Sequence, residues 1–301
     1  MYKLRAKLQK MLISALVLSV VTGIFSFSVP SAAAASPIKI MPVGDSCTEG
    51  MGDPNMGSYR TDLYSHYKNA GLSIDFVGSN QRGPSTLPDR DNEGHSGWTI
   101  PQVASNINNW LNTYNPDVVL LWIGGNDILI GGGVNATGLS NLIDQITNLK
   151  PNIKLFVSDY YPWPDIVKPY NELIPGIVKQ KADAGKSVYF VKLSSVDFIK
   201  SSDLSSDNLH LNTTGYSKIA KIWYDSTISV LKSMSEPETL YGDLNGDKKI
   251  DSTDLSLLKR YLLGLITEFS VPSSMADVDK NGSINSTDYA MLKKNLLQTG
   301  S

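Results

Sequence analysis

Four short segments hold the residue types that nucleophilic catalysis needs. The first, Gly44-Asp45-Ser46-Cys47-Thr48-Glu49-Gly50, directly follows an apolar run. Its glycines permit a tight turn that exposes the serine hydroxyl, and Cys47 beside it reads as a small buried residue, not a second nucleophile. A serine is a weak nucleophile until a base takes its proton. The second segment, Asp207-Asn208-Leu209-His210, supplies an imidazole and, three residues earlier, a carboxylate that can orient it. The chain has three histidines. His66 falls in a helical pattern and reads as a surface or packing residue. His95 is the competing base, but Asp91 and Glu93 are not at triad-like spacing from it. The third segment is Gly124-Gly125-Asn126-Asp127, where Asn126 offers an amide donor that cannot ionise and so suits a developing oxyanion. The fourth is Gly78, whose backbone N–H is a further donor candidate. Each segment alone also reads as an ordinary turn or helix-entry loop. Their joint occurrence points to chemistry.

A second constellation lies near the C-terminus. Asp243, Asn245, Asp247, Asp251 and Asp254 stand at positions 1, 3, 5, 9 and 12 of a segment that recurs 34 residues later as Asp277, Asp279, Asn281, Asn285 and Asp288. Position 7, Lys249 or Ser283, would contribute a backbone carbonyl. Hard oxygens at these intervals suit Ca²⁺, two ions in all, and an apolar helical pattern follows each loop. The alternative is a solvated acidic loop. Pro237 and Gly242 leave no room for an entering helix before Asp243. Lys248 takes the turn position that Gly282 holds in the second copy, which predicts a weaker first loop.

The elements that must position these residues follow from periodicity. Apolar runs at Ile38–Val43, Ile74–Val77, Val118–Ile123, Lys154–Ser158 and Val188–Leu193 read as strands. Helical patterns lie between and after them, near Tyr59–Ala70, Pro101–Tyr114, Thr137–Leu149, Ile166–Ala184 and Thr213–Leu231. This alternation predicts a parallel sheet with helices on both faces and a crevice at the carboxyl ends of the strands, where the first, third and fourth segments fall, while the second lies just ahead of the last helical pattern.

The 301 residues carry 27 basic and 29 acidic side chains, a formal charge of −2, which excludes a strongly basic nucleic-acid binder. One cysteine excludes an intrachain disulfide and a cysteine metal cluster. Lys3, Arg5, Lys7 and Lys10, an apolar run from Met11 to Phe27, and Ala33-Ala34-Ala35 read as a secretory signal over 1–35, with an N-terminal membrane anchor as the alternative. The mature protein is then expected to be secreted and free of the membrane. The expected domains are 36–232, a linker at 233–239, and a small module at 240–301.

The ordered set of Ser46, Gly78, Asn126, Asp207 and His210 resembles the SGNH, or GDSL-like, hydrolases. That resemblance implies a flavodoxin-like three-layer α/β/α sandwich. Ser46 would be the nucleophile, His210 the base and Asp207 its orienting partner. The Ser46 and Gly78 N–H groups and the Asn126 amide would form the oxyanion hole, with no cofactor for catalysis. Met41–Gly50, Gly94–Ile100 and Asp159–Trp163 are similar to carbohydrate esterase family 3, which implies deacetylation of acetylated xylan. Trp98, Tyr160, Tyr161 and Trp163 could form an aromatic wall against the substrate, or belong to the core. Residues 240–297 resemble a type I dockerin, which implies a cohesin partner on a cellulosome scaffold. Ser252, Thr253, Lys259 and Arg260, with Ser286, Thr287, Lys293 and Lys294, match its recognition positions.

Overall fold

The computed structural model describes residues 36–162, 164–195, 200–235 and 240–299. The expected leader lies outside the described residues, as does Trp163. Seven strands form one sheet: β1 (Ile38–Gly44), β2 (Ile74–Phe76), β3 (Asn80–Gln81), β4 (Asp91–Gly94), β5 (Val118–Trp122), β6 (Lys154–Ser158) and β7 (Val188–Val191). Their order is β3-β4-β1-β5-β6-β7, with β2 also paired to β1, and every pairing is parallel except β3 with β4. All five residues of β5 are buried, as expected for a strand covered on both faces. One set of helices comprises Arg60–Asn69 and Thr213–Ser235, the other Ile100–Tyr114, Ala136–Leu149 and Lys168–Asp183. The last helix of the first set runs to Ser235, so the first three residues of the expected linker are helical, and 236–239 lie outside the described residues.

Strand β1 contains Pro42, which cannot donate to a ladder. The pairing explains how an interior strand tolerates it. On one side β1 pairs with β5 throughout Ile40–Gly44. On the other it pairs with β2 at Ile38–Ile40 and with β4 only at Val43 and Gly44. The Ile40 carbonyl accepts Val77 N–H, and the Gly44 carbonyl accepts His95 N–H. Pro42 shares their direction and falls where β2 has ended and β4 has not begun. This handover brings β4, and the turn after it, to the carboxyl end of β1, where Ser46 emerges.

The C-terminal residues have a separate core of Leu244, Leu258, Ala276, Val278 and Leu292. Leu244 and Val278 occupy equivalent loop positions of the two repeats, and Leu258 and Leu292 equivalent helix positions. Helices Ser252–Leu262 and Ser286–Thr299 follow the loops and pack together. A single 3₁₀ turn, Ser273–Ala276, precedes the second loop. No helix among the described residues is long and apolar enough to cross a membrane.

Candidate active site and calcium loops

Ser46 opens a four-residue helix, Ser46–Glu49, capped by Asp45, whose Oδ1 accepts Cys47 N–H at 3.0 Å. Asp45 is buried, and burial raises its carboxyl above the ordinary value, though hydrogen bonds from Tyr160 and Cys47 oppose this. Cys47 is also buried, and burial followed by the Asp45 charge pushes its thiol well up, so it is no rival nucleophile. The turn after the helix is organised by Arg60, which sequence reading did not single out. Its fully buried guanidinium donates to the carbonyls of Thr48, Glu49, Met56, Arg82 and Arg90 at 2.8–3.2 Å. Burial lowers its pKa to about 10. An arginine ahead of a helical pattern gives no hint of such a role, because all its acceptors are main-chain atoms.

His210 reaches Ser46 from 164 residues away, with Nε2 to Oγ at 2.8 Å. Its Nδ1 lies 2.6 Å from Asp207 Oδ2. Asp207 Oδ1 accepts N–H groups from Leu209 and His210, both at 2.9 Å, so one carboxylate holds the loop and the ring. Partial burial raises the Asp207 carboxyl, but the bonds from His210, Ser205 and the two backbone N–H groups outweigh it and hold the carboxyl well below the usual range. A Cβ on Gly52 would lie 2.3 Å from the Leu211 carbonyl oxygen and 2.7 Å from His210 Cβ, so only glycine lets this loop approach so closely.

The Ser46 side opens into a cavity of about 230 Å³ lined by, among others, Ser96, Gly97, Asn126, Leu129, Tyr160 and His210. Asn126 lies in it as expected, with its Nδ2 donating to the Trp98 carbonyl at 3.0 Å. Gly78 does not line it. A Cβ there would meet the Asn92 backbone at 2.3 Å, so this glycine serves the close crossing of the chain over β4. The glycine facing Ser46 is Gly97, in a turn closed by Trp98 N–H to the His95 carbonyl at 3.1 Å. Its φ of +79° is the left-handed value required at the third residue of a type II turn. Neither Ser46 N–H nor Gly97 N–H has an acceptor among the described residues.

The aromatic residues divide. Tyr160 and Tyr161 line the cavity but are 4% and 2% exposed. Tyr160 OH donates to Asp45 Oδ2 at 2.6 Å and accepts Gly125 N–H at 2.8 Å, while Tyr161 OH donates to the Leu209 carbonyl. They tie the nucleophile turn, the Asn126 helix and the His210 loop together rather than form an open wall. Trp98 does not line the cavity; it stacks on His95 at 4.1 Å. His95 does have a carboxylate partner, against the spacing argument: Nε2 lies 2.9 Å from the buried Glu93. The ring stacks in a three-membered cluster with Trp98 and Trp110 and does not line the Ser46 cavity.

In the repeats, Asp254 and Asp288 are fully buried at position 12. Asp254 accepts Leu244 N–H and Asp251 N–H, both at 2.8 Å, and Asp288 likewise accepts Asp279 and Asn285 N–H. Asp243 and Asp277 close the loops by accepting the N–H of Lys248 and Gly282 at position 6. One carboxylate oxygen each of Asp277, Asp279 and Asp288 lies within 4.8 Å of the others. Three converging carboxylates, with Asp288 buried and Asp277 and Asp279 half-buried, are a donor set that fits Ca²⁺. Asn245, Asp247, Lys249, Asp251, Asn281, Ser283 and Asn285 take part in short-range hydrogen bonds within the same loops. Ser252, Thr253, Lys259, Arg260, Ser286, Thr287, Lys293 and Lys294 are all exposed.

Comparison with known proteins agrees with this geometry. The family model of the GDSL-like lipase/acylhydrolase family matches residues 43–218, and that of the dockerin type I domain matches 241–297. A solved structure of a Clostridium thermocellum family 3 carbohydrate esterase superposes with a TM-score of 0.66 at 68% identity, covering 66% of this chain and all of that one. A protein of Acetivibrio thermocellus carried under the provisional name endoglucanase X is 59% identical over 183 residues, covering 56% of this chain and 82% of that protein. A multidomain esterase of Ruminococcus flavefaciens is 31% identical over 86% of this chain but only 39% of its own length. A serine–imidazole–carboxylate relay at the carboxyl end of a parallel sheet, in a chain matched over its whole catalytic span, makes this protein a member of the GDSL-like lipase/acylhydrolase family and, within it, a family 3 carbohydrate esterase.

Proposed function

We propose that the protein is secreted, removes acetyl groups from acetylated xylan through an acyl-serine, and is carried by its C-terminal module on a cohesin of a cellulosome scaffold. The observation that carries the catalytic reading is the continuous Ser46–His210–Asp207 relay, at 2.8 and 2.6 Å, beside the cavity. His210 takes the Ser46 proton as Oγ attacks the ester carbonyl. Ser46 N–H, Gly97 N–H and the Asn126 amide bind the resulting oxyanion, and the sugar hydroxyl leaves with the proton from His210. Water, with His210 again as base, then releases acetate. Gly97 replaces Gly78 in this scheme. The domain scheme is a leader at 1–35, a catalytic domain from 36 to the end of the Thr213–Ser235 helix, and a calcium module at 240–301.

Glycoside hydrolysis takes a pair of carboxylates, whereas Asp45 is the one carboxylate lining the Ser46 cavity among the described residues. A non-catalytic carbohydrate adaptor would have no use for the intact relay. Acetate release from acetylated xylan, set against other acylated polysaccharides and a chromogenic acetate ester, tests the substrate; absence of release from xylan overturns it. For the module, replacing Ser252 and Thr253, or Ser286 and Thr287, by alanine is expected to leave cohesin binding, and replacing all four to abolish most of it. The matching positions are exposed in both repeats, and a pseudo-two-fold relation between the two helices would exchange them.

A further inference from the structure

The turn that carries Gly97 is held by a carboxylate belonging to the nucleophile helix. Glu49, the last residue of Ser46–Glu49, accepts Ser96 N–H on Oε2 at 2.9 Å, and the same oxygen accepts the Ser96 hydroxyl. Its Oε1 faces Arg82 Nε at 3.4 Å. The Glu49 side chain is 13% exposed against 56% for Arg82, and its bonds to Ser96 lie at the exposed rim of the cavity. The helix backbone also presses on the end of β4, where a Cβ on Gly94 would lie 2.3 Å from Glu49 N. From this contact the chain enters the His95–Trp98 turn, and both Ser96 and Gly97 line the Ser46 cavity. One side chain therefore joins the helix that begins with the nucleophile to the turn whose third residue offers the free N–H.

We infer that Glu49 is a positioning residue: it locks the Ser96–Gly97 turn to the nucleophile helix and keeps Gly97 N–H in register with Ser46 as negative charge develops on the substrate oxygen. This rests on the esterase reading above. The effect belongs to the transition state, because a substrate carbonyl carries little charge before attack, whereas the tetrahedral oxygen carries a full one.

The test compares the full chain with Glu49→Ala and Glu49→Gln. Two quantities are measured: steady-state turnover of a chromogenic acetate ester, and affinity for a small boronic acid, which forms a tetrahedral adduct on Ser46. Glu49→Ala is expected to lose about 10–100-fold in kcat with KM within about twofold, and boronate affinity is expected to fall by about the same factor. Glu49→Gln keeps an acceptor oxygen for Ser96 and is expected to recover kcat to within about threefold of the parent. A kcat for Glu49→Ala within about twofold of the parent overturns the inference, as does a fall in kcat with unchanged boronate affinity. If Glu49→Ala is unfolded at the assay temperature, Ser96→Ala decides by the same two readouts. It removes one of the two donors to Oε2, and a parallel loss of about 3–10-fold is expected; unchanged values overturn the inference. Failure of the esterase reading shows differently, as a parent chain that releases no acetate or a Ser46→Ala chain that still does, and takes this inference with it.

Discussion

The catalytic relay and the calcium loops are assembled in opposite ways. Ser46 and His210 are 164 residues apart and meet only because β1 delivers one and the loop before the Thr213–Ser235 helix delivers the other. Each calcium loop draws its side chains from twelve consecutive residues. The first site is placed by a large core built on the sheet. The second is surrounded by five buried apolar side chains among the described residues, too few to oppose the repulsion of converging carboxylates. The fold makes the relay, whereas in the module the ion is expected to make the fold.

The largest effect expected tests the relay itself. Ser46→Ala and His210→Ala should each lower kcat by about 10⁴-fold or more while the domain stays folded, since neither residue belongs to the core. Near-parental turnover in Ser46→Ala defeats the serine mechanism. Asp207→Asn should cost no more than either, because orientation is lost and the base is kept. The depressed Asp207 carboxyl sets the sign of its pH dependence: the charged form is fully present above the ordinary value of about pH 4 and is lost only as the pH falls below that. Acid inactivation with a midpoint above about pH 5 therefore cannot come from Asp207, and a direct NMR titration of the Asp207 carboxyl with a midpoint above about pH 4 contradicts this.

Chelation separates the two regions. Excess chelator should abolish the melting transition and the helical signal of residues 240–299 while ester turnover of the full chain changes by less than about twofold. A proportionate loss of activity shows that catalysis needs a metal, which the relay geometry gives no reason to expect.

The two regions also differ in how much their residues disclose. In the repeats, candidate Ca²⁺ ligands can be named residue by residue because they are contiguous and recur. In the catalytic domain the motif residues Ser46, Asn126, Asp207 and His210 could be found, since each follows a strand or precedes a helix. Strand β4 could not: Asp91-Asn92-Glu93-Gly94 has no apolar alternation, yet Asn92 and Glu93 are fully buried, paid for by bonds to Gly94 N–H and to Ser79. Without β4 the turn after it has no address, so the sequence points to Gly78 as the donor candidate, whereas the glycine that lines the Ser46 cavity is Gly97. Tyr160 and Tyr161 were ambiguous for the same reason, because hydroxyl partners 115 and 48 residues away leave no local trace.

The exchange of glycines gives a sharper, smaller test. Gly97→Ala places its Cβ in open space but at φ +79°, so it should strain the turn by about 1–2 kcal/mol, lower kcat by roughly tenfold and cost no more than a few degrees of melting temperature. Gly78→Ala drives a Cβ to 2.3 Å from the Asn92 backbone and should instead lower the melting temperature, with kcat per folded molecule nearly unchanged. The reverse pattern would restore Gly78 as the donor.

The smallest effect concerns the two loops themselves. Lys248 at position 6 has φ +65°, which supports the strain expected of the first loop. The second loop carries the same burden elsewhere: Gly246 and Gly282 are left-handed at positions 4 and 6, and so is Lys280, at position 4 with φ +60°. Each loop therefore holds one glycine and one lysine in left-handed conformation, in exchanged order, and strain alone no longer makes the first loop weaker. What differs is compensation. Lys280 Nζ lies 4.4 Å from the centroid of the Tyr241 ring, a cation–π contact of about 0.5–1 kcal/mol. Lys248→Gly should relieve about 1 kcal/mol after the entropy cost of glycine and tighten Ca²⁺ at its loop about fivefold. Lys280→Gly loses the ring contact as it gains the turn and should change affinity by less than about twofold. Lys248→Ala removes the charge but keeps the strain, so calorimetry giving it the same gain as Lys248→Gly would assign the effect to electrostatics and not to the turn.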